Sequence, residues 1–551
     1  MEYDLALIHP PSVIDFRKRP WFPGPVARTV HFTPAFYGIP IGLISMADYV
    51  ERKGYKVVIF NLAEYMLTDP KFDHEKFIKD IRARYYGVGL HFCVHSQGAV
   101  EVARICKQHH EDSKVIMGGL TATIFANELI KNHRFIDYVI QGEGEIPLLN
   151  ILEGGTVEEI PNLIYRDNDG RIRTNQQFWV ARSLDDFEFT RLDLVNPNKL
   201  LTTVPTELGI KKHWMIPLYR GCYYNCATCG GSRYCYRNRF HREKPAFRSK
   251  EKVIEDLRKL SKQGIESVFL FMDPRAMGRK KCSALFDALR SNDYGINYLT
   301  LELFLPGNRK YLSEIARLNN KVSVGLSISP ESGNENVRTS QGRVYSNESL
   351  LKTVRFCTSH GIGLGVFFMF GLAEQTWETL DDTYKLFSKL SEINSEEQIG
   401  PGIRIQFGEM LLLDPGSLAF DNPQKFGYKL RFKNLQDYID GFSSPAWTDW
   451  LSYETYNLNR RELLEIPIRF RHKLVEYYNS NHLITNDQAK LEHLKGKIDM
   501  EILNELEDIR RLDSKEKEKR YWSLYHALRD YDKGGLSMFW RIKKRLGLQN
   551  L

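Results

Sequence analysis

Three cysteines fall within eight residues of one another in Tyr219-Arg-Gly-Cys222-Tyr-Tyr-Asn-Cys226-Ala-Thr-Cys229-Gly-Gly-Ser232. The apolar run just before them reads as a strand, so the three thiolates share one tight loop at a strand's C-terminal end. Such clusters normally take four cysteines, so three thiolates hold three irons of a four-iron four-sulfur cubane and leave the fourth iron open. The competing chemistry is a structural zinc, with Cys235 or His241 as fourth ligand. Eight cysteines in 551 residues do not make a disulfide framework. Their local concentration points to metal ligation in a reducing compartment, and the cytoplasm is the expected location.

The elements around this loop alternate in type. From Trp214 onward, MIPLY, VFLFM, YLTLELFL, VSVGLSI, GLGVFFMF and IRIQFGEML read as six strands separated by amphipathic helices. That pattern predicts a partial or full α/β barrel with active groups on the loops after the strands. The first 150 residues alternate in the same way and predict a Rossmann-like doubly wound parallel sheet. The expected division is therefore 1–150, a Rossmann-like domain; 151–211, a linker whose Asp169-Gly170 turns a small antiparallel element; 212–433, a partial six-stranded barrel; and 434–551, a helical, aromatic-rich region.

Composition narrows the classes of function. Hydrophobic residues make up 42% and charged residues 26% of the chain, a soluble globular balance. No apolar run approaches the roughly 20 residues of a membrane helix, and the N-terminus lacks the pattern of an export signal. The net charge of +8 is spread over scattered basic runs, Arg17 to Arg19, Arg279 to Lys281 and Arg541 to Arg545, which argues against a nucleic-acid partner.

The Cys-x3-Cys-x2-Cys loop at the head of such a barrel closely resembles the radical S-adenosylmethionine (SAM) superfamily. That resemblance implies a 4Fe-4S cluster on Cys222, Cys226 and Cys229, SAM bound at the open iron, and an electron donor such as ferredoxin or flavodoxin. Further matches follow in order. Phe271-Met-Asp-Pro274 resembles the loop that meets the methionine moiety, with Asp273 as candidate; a helix cap is the plainer reading of that acid. Ser327 to Gly333 places Glu331 and Ser332 where the family approaches the ribose. Arg343 resembles the partner of the SAM carboxylate. Phe367 to Thr379 and Leu411 to Ser417 resemble the turns after the fifth and sixth strands. Thr228 departs from the family, which often has an aromatic residue there.

The first 150 residues resemble the cobalamin-binding domain that precedes the barrel in one branch of the superfamily, on His9-Pro-Pro-Ser12, Tyr37 to Gly42, Gly118-Gly119 and Asp137 to Glu145. The resemblance spans Asp4 to about Ser417. No Asp-x-His-x-x-Gly follows the first strand, so cobalamin is expected without an essential histidine on cobalt. His91 and His95, after the third strand, are the residues able to overturn that expectation, and Gly118 and Gly119 are expected to admit the nucleotide tail.

The leading function this implies is cobalamin-dependent radical SAM methylation of an unactivated carbon in a small molecule, lipid or peptide. A second is radical carbon–carbon bond formation or cyclisation without methyl transfer, including on a lipid. There, C-terminal aromatics from Trp447 to Trp522 line an apolar pocket and the basic Arg541 to Arg545 helix meets a membrane surface. A third is a non-catalytic iron–sulfur or zinc protein. An RNA methylthiotransferase is disfavoured, because only Cys93 and Cys106 precede the motif.

Overall fold

The structure, a computed structural model, describes residues 2–22, 35–199, 203–206, 209–396 and 401–531. Strands β1 (Glu2–His9), β2 (Val57–Asn61), β3 (Arg82–Gly89), β4 (Lys114–Gly118) and β5 (Tyr138–Ile140) are parallel and lie in the order β5-β4-β3-β1-β2. Helices cover both faces, which is why these strands read as near-continuous apolar runs rather than as alternating ones. The chain winds outward from β1 in one direction and from β3 in the other. The crevice beyond their carboxyl ends is where sheets of this order take a ligand.

The segment 151–211 continues this sheet. Strands β6 (Leu163–Arg166) and β7 (Ile172–Thr174) form the hairpin around Asp169-Gly170, and β6 pairs antiparallel with β5, Tyr138 facing Tyr165. On the opposite edge, β8 (Val195–Asn196) runs parallel to β2.

The second sheet begins with antiparallel β9 (Thr203–Thr206) against β10 (Gly209–Pro217). A short ladder of β11 (Tyr219–Arg220) and β12 (Ala246–Phe247) follows. Parallel strands β13 (Ser267–Phe271), β14 (Tyr298–Leu303), β15 (Ser323–Glu331), β16 (Gly363–Phe370) and β17 (Ile403–Met410) then add to β10 in chain order. The six parallel strands correspond to the six apolar runs, and the sheet stays open, with β17 at one edge. Along β14 burial alternates strictly: Leu299, Leu301 and Leu303 pack under the helices, while Tyr298, Thr300 and Glu302 take the other face.

The C-terminal region is helical apart from β18 (Tyr428–Leu430) and β19 (Tyr453–Thr455), which pair antiparallel. Its aromatics correct the pocket expectation. Trp447, Trp450 and Tyr453 are buried in one core with Phe370 and Phe432, and Tyr477 and Tyr478 pack on Phe387. The region also closes over the first domain: Phe22 N donates to Pro445 O at 2.8 Å and Trp447 N donates to Phe22 O at 3.0 Å, and Tyr438 packs on Phe125. The basic run Arg541 to Arg545 lies outside the described residues. Among the described residues no helix is long and apolar enough to cross a membrane.

Candidate active site between two sheets

The cysteine loop is fixed through its backbone. Ala227 N donates to Gln341 O at 3.1 Å, Ala419 N to Ala227 O at 2.8 Å, and Arg233 N to Tyr224 O at 2.8 Å. Gly342 has a φ of +87°, and a Cβ there would lie 2.7 Å from Asn225 O, so this turn after β15 rests directly on the loop. Two sulfurs already accept backbone hydrogen bonds, Cys222 Sγ from Tyr224 N at 3.4 Å and Cys229 Sγ from Gly231 N at 3.3 Å. All three cysteines are free and partly exposed. Burial pushes the Cys222 thiol up to about 11 and the other two upward as well, so ligation must expel protons.

No three His, Cys, Asp or Glu side chains among the described residues converge on one point as a single ion requires. A cubane needs each thiolate on a separate iron, and this donor set fits it. The zinc alternative also loses His241, whose ring stacks on Phe178 at 3.5 Å.

The carboxyl ends of the second sheet bring together two of the residues expected to meet SAM, Glu331 and Arg343. Glu331 ends β15 with a φ of +66°, is only 6% exposed, and accepts from Arg343 Nε at 2.5 Å. Its other oxygen, Oε2, is buried without a partner, which is costly unless a ligand donates to it. Arg343 also acts electrostatically on Cys226, where burial raises the thiol and the guanidinium opposes it.

Two candidates are otherwise engaged. Ser332 is fully buried, and its hydroxyl meets Thr383 Oγ1 at 3.4 Å and Asn334 N at 3.2 Å. Asp273 caps the turn Pro274–Met277, pairs with Arg275 at 2.6 Å and accepts from Phe304 N at 2.9 Å, so the helix-cap reading describes it. Glu302, which the sequence reading missed, lies beside Met272, whose N donates to it at 2.8 Å. Burial raises its pKa, and Arg343 opposes that rise. The period-two alternation of β14 was the signal that placed it on the open face.

At the end of the first sheet, two histidines meet Phe36. His9 Nε2 lies 3.0 Å and His95 Nε2 3.3 Å from Phe36 O. A carbonyl only accepts, so both rings carry their proton on Nε2. His95 is stacked on Phe36 at 4.6 Å and buried, so its ring is engaged by the protein itself. Burial lowers His9 to about 4 and His95 well below its ordinary value.

His91 differs. Its main-chain carbonyl is clamped by Thr121 N at 3.1 Å, while its half-buried ring has one aromatic neighbour, Phe92, and no hydrogen bond among the described residues. Burial lowers it to about 4, which leaves it neutral and able to ligate. Gly119, with a φ of +118°, lies where a Cβ would be 2.6 Å from Leu90 O. The space its missing side chain leaves is thus filled by the protein's own β3 loop. Gly118, by contrast, has room for a Cβ, with Ile140 O nearest at 3.8 Å.

The two sheets present their carboxyl ends to one another. A Cβ on Gly230, next to Cys229, would stand 3.0 Å from both Leu120 of the first domain and Asp414 of the turn after β17. Asp414 Oδ2 accepts from Gly230 N at 2.9 Å, and burial raises this carboxyl to about 6.

The seam is pinned by charge at the root of the cysteine loop. Arg220 Nη1 reaches Glu143 at 2.9 Å and its Nη2 reaches Glu145 at 2.7 Å, while Arg242 Nη2 reaches Glu143 at 2.5 Å, all largely buried. Burial alone works against ionising Glu145, and Arg220 outweighs it and holds the carboxyl below its usual range.

A sheet of flavodoxin-like order, with a ligand crevice at its carboxyl ends, faces an open six-stranded barrel across a loop of three thiols, and together they define an α/β protein of two sheets. Residues 216–387 match the model of the radical SAM superfamily and residues 27–152 that of the B12 binding domain. The chain therefore carries a radical SAM domain preceded by a B12 binding domain.

An uncharacterized methyltransferase of Pyrococcus horikoshii is 24% identical over 360 residues, 64% of this chain and 74% of the relative. The anaerobic magnesium-protoporphyrin IX monomethyl ester cyclase of Rubrivivax gelatinosus is 23% identical over 367 residues, 63% of this chain and 61% of its own length. Among solved structures, the radical SAM methyltransferase TsrM from Kitasatospora setae, with tryptophan and a SAM analogue bound, superposes with a TM-score of 0.56 at 16% identity over 78% of each chain. At that identity the likeness is one of fold.

Proposed function

We propose that this protein is a cobalamin-dependent radical SAM enzyme that methylates an unactivated carbon. The observation that carries the reading is the contact of Gly230 with Leu120, which sets the cysteine loop against the carboxyl end of the B12 binding domain. When bound, the cluster delivers one electron to SAM and the corrinoid carries a methyl group.

The chain's own residues do the rest. Cys222, Cys226 and Cys229 hold the irons, Arg343 takes the SAM carboxylate, and the unpartnered Glu331 Oε2 accepts from a ribose hydroxyl. His91 stands at the β1/β3 crevice as the histidine free to face cobalt. Asp414 borders the space between the domains, where the substrate, a small molecule, lipid or peptide, must lie. In this reading 1–150 with its sheet extension holds cobalamin, 212–433 holds the cluster and SAM, and 434–551 closes the core. Eight free thiols and an oxygen-sensitive cluster suit the cytoplasm.

The second reading, radical cyclisation or carbon–carbon coupling without methyl transfer, draws on the relative named as a cyclase. Protein purified without oxygen and given SAM and a reductant separates the two. Methylation releases S-adenosylhomocysteine together with 5′-deoxyadenosine; 5′-deoxyadenosine and methionine alone favour cyclisation or coupling. Neither product, with no corrinoid bound, defeats both.

A further inference from the structure

Across the inner face of the second sheet runs one row of residues with opposite charges at its two ends. In-register pairing joins Glu302 to Ser327, Ser327 to Gly365 and Gly365 to Arg404, straight across β14, β15, β16 and β17. Residues paired in this way share a face. It is the face that Thr300 and Glu302 take, because Leu299, Leu301, Val366 and Phe368 point the other way and are buried beneath the helices. Arg404 is the one basic residue in the sequences of these four strands. Its side chain is exposed and has no carboxylate partner among the described residues. Glu302, the acid of the same row, is three strand spacings away, roughly 14 Å along the sheet, and forms no ion pair with it.

Arg404 is nevertheless held in place. The side-chain oxygen of Gln406, two residues on and on the same face, is turned toward the guanidinium as donor chemistry requires, and accepts from Nε at 2.6 Å and from Nη2 at 2.7 Å. That uses one edge of the fork and fixes its plane, while the edge formed by the two Nη atoms stays open. Between the charged ends, Ser327 and Gly365 are small, and a Cβ on Gly365 would stand 3.0 Å from the ring of Phe367. The ring thus leans over the row beside Arg404, since Phe367 pairs with Gln406. An arginine kept for solubility needs no acceptor that fixes its plane, and one kept for a core carboxylate would have that acid alongside. One fixed fork matches a planar monoanion bound edge to edge. A phosphate dianion would call for a second cation, which β14 to β17 do not supply.

We propose, resting on the methyltransferase reading above, that Arg404, held by Gln406 and flanked by Phe367, anchors a carboxylate of the substrate. The substrate is then a carboxylic acid with an apolar or aromatic body next to its acid group. Arg343, after β15, is the cation given to SAM in that reading, which leaves Arg404 for the other ligand of the same space. Arg404 is the second residue of β17. The acid group therefore sits toward the amino-terminal side of the sheet, and the rest of the molecule extends toward the carboxyl ends, where the cysteine loop lies. No bond is made or broken at Arg404; it positions.

The test uses cluster-loaded protein, kept oxidised so that SAM is not cleaved and saturated with SAM so that Arg343 is occupied. It is titrated with hydrocinnamate, with the neutral hydrocinnamamide and with phenyl phosphate, and binding is read by saturation-transfer NMR of each probe. The unaltered protein is expected to bind hydrocinnamate at least about tenfold more tightly than the amide. Arg404→Gln should bring acid and amide to one affinity while SAM affinity and the cluster spectrum stay unchanged. Arg404→Lys should restore part of the preference, because it returns the charge without the fork. Gln406→Ala, which keeps the guanidinium and frees its plane, should weaken hydrocinnamate about threefold, and it carries the test if Arg404→Gln fails to load its cluster. Equal affinity for acid and amide in the unaltered protein, or an acid preference that survives Arg404→Gln, would overturn the proposal. So would phenyl phosphate bound more tightly than hydrocinnamate, or loss of SAM along with the probe in Arg404→Gln, which would assign Arg404 to the SAM site. Failure of the unaltered protein to load a cluster or bind SAM would instead defeat the reading on which the proposal rests.

Discussion

The loop of Cys222, Cys226 and Cys229 and the loop of His91 and His95 face the same space and are held in opposite ways. Backbone hydrogen bonds and the contact at Gly342 fix the first, whose three thiols stay free, two of them accepting a backbone N–H. In the second, His95, together with His9 from the neighbouring strand end, is spent on the carbonyl of Phe36, and only His91 keeps a free ring. A side chain of ligating type marks a ligand site when the fold does not need it. Where the fold does need it, replacing it costs stability before it costs binding.

The comparison breaks most completely at the cysteines. Replacing Cys222, Cys226 and Cys229 together by Ala should abolish the brown cluster absorbance and all SAM cleavage. The melting of the cluster-free protein should hardly move, because the loop's backbone bonds survive. Retained absorbance would sink the ligand assignment. The largest stability effect belongs to the seam. Arg220→Ala leaves Glu145 buried without its partner and should cost about 3 to 5 kcal/mol, read as a large drop in the thermal midpoint.

Acid should act on the histidine loop. His9 takes up its proton near 4 when folded and near 6.5 when unfolded. Between those values the unfolded chain binds more protons, so stability is full above 6.5 and falls as pH drops toward 4. For one such group the loss is on the order of 3 kcal/mol. Thermal midpoints measured across that window should slope less steeply in His9→Gln.

Glu331→Ala should weaken SAM binding by roughly 1.5 to 3 kcal/mol while leaving the cluster spectrum alone, as equilibrium titration would report. Unchanged affinity would move the ribose contact elsewhere. The smallest thermodynamic effect is expected at His91. His91→Ala should change stability by less than about 0.5 kcal/mol, yet remove any nitrogen splitting from the paramagnetic resonance of bound cob(II)alamin. His95→Ala should do the reverse. Absence of splitting in the unaltered protein would match the expectation of an unligated cobalt.

Much of this was legible in the chain because its signals are local. Three thiols in one loop declare themselves by spacing, and strands such as VFLFM and GLGVFFMF by apolar runs between helices. The Asp169-Gly170 hairpin was equally plain, but the edge it extends was not, since the pairing of Tyr138 with Tyr165 is tertiary. Asp273 matched a motif, yet Arg275, two residues on, saturates it. The C-terminal tryptophans carried no periodicity to separate a pocket wall from a core. The attachment of Glu143 and Glu145 to Arg220 joins residues more than 70 positions apart, and no local pattern announces it.

That attachment sets a limit on how the molecule can be divided. A barrel cut free at residue 212 would keep Arg220 and Arg242 and lose every carboxylate they meet across the seam, leaving two guanidinium groups beside the cysteine loop with nothing to neutralise them. An isolated first domain would expose Glu143 and Glu145 in the same way. The boundary that looks like a join between two modules is therefore where neither half is complete, and exchanging either domain with that of another protein requires carrying both acids or both arginines along with it.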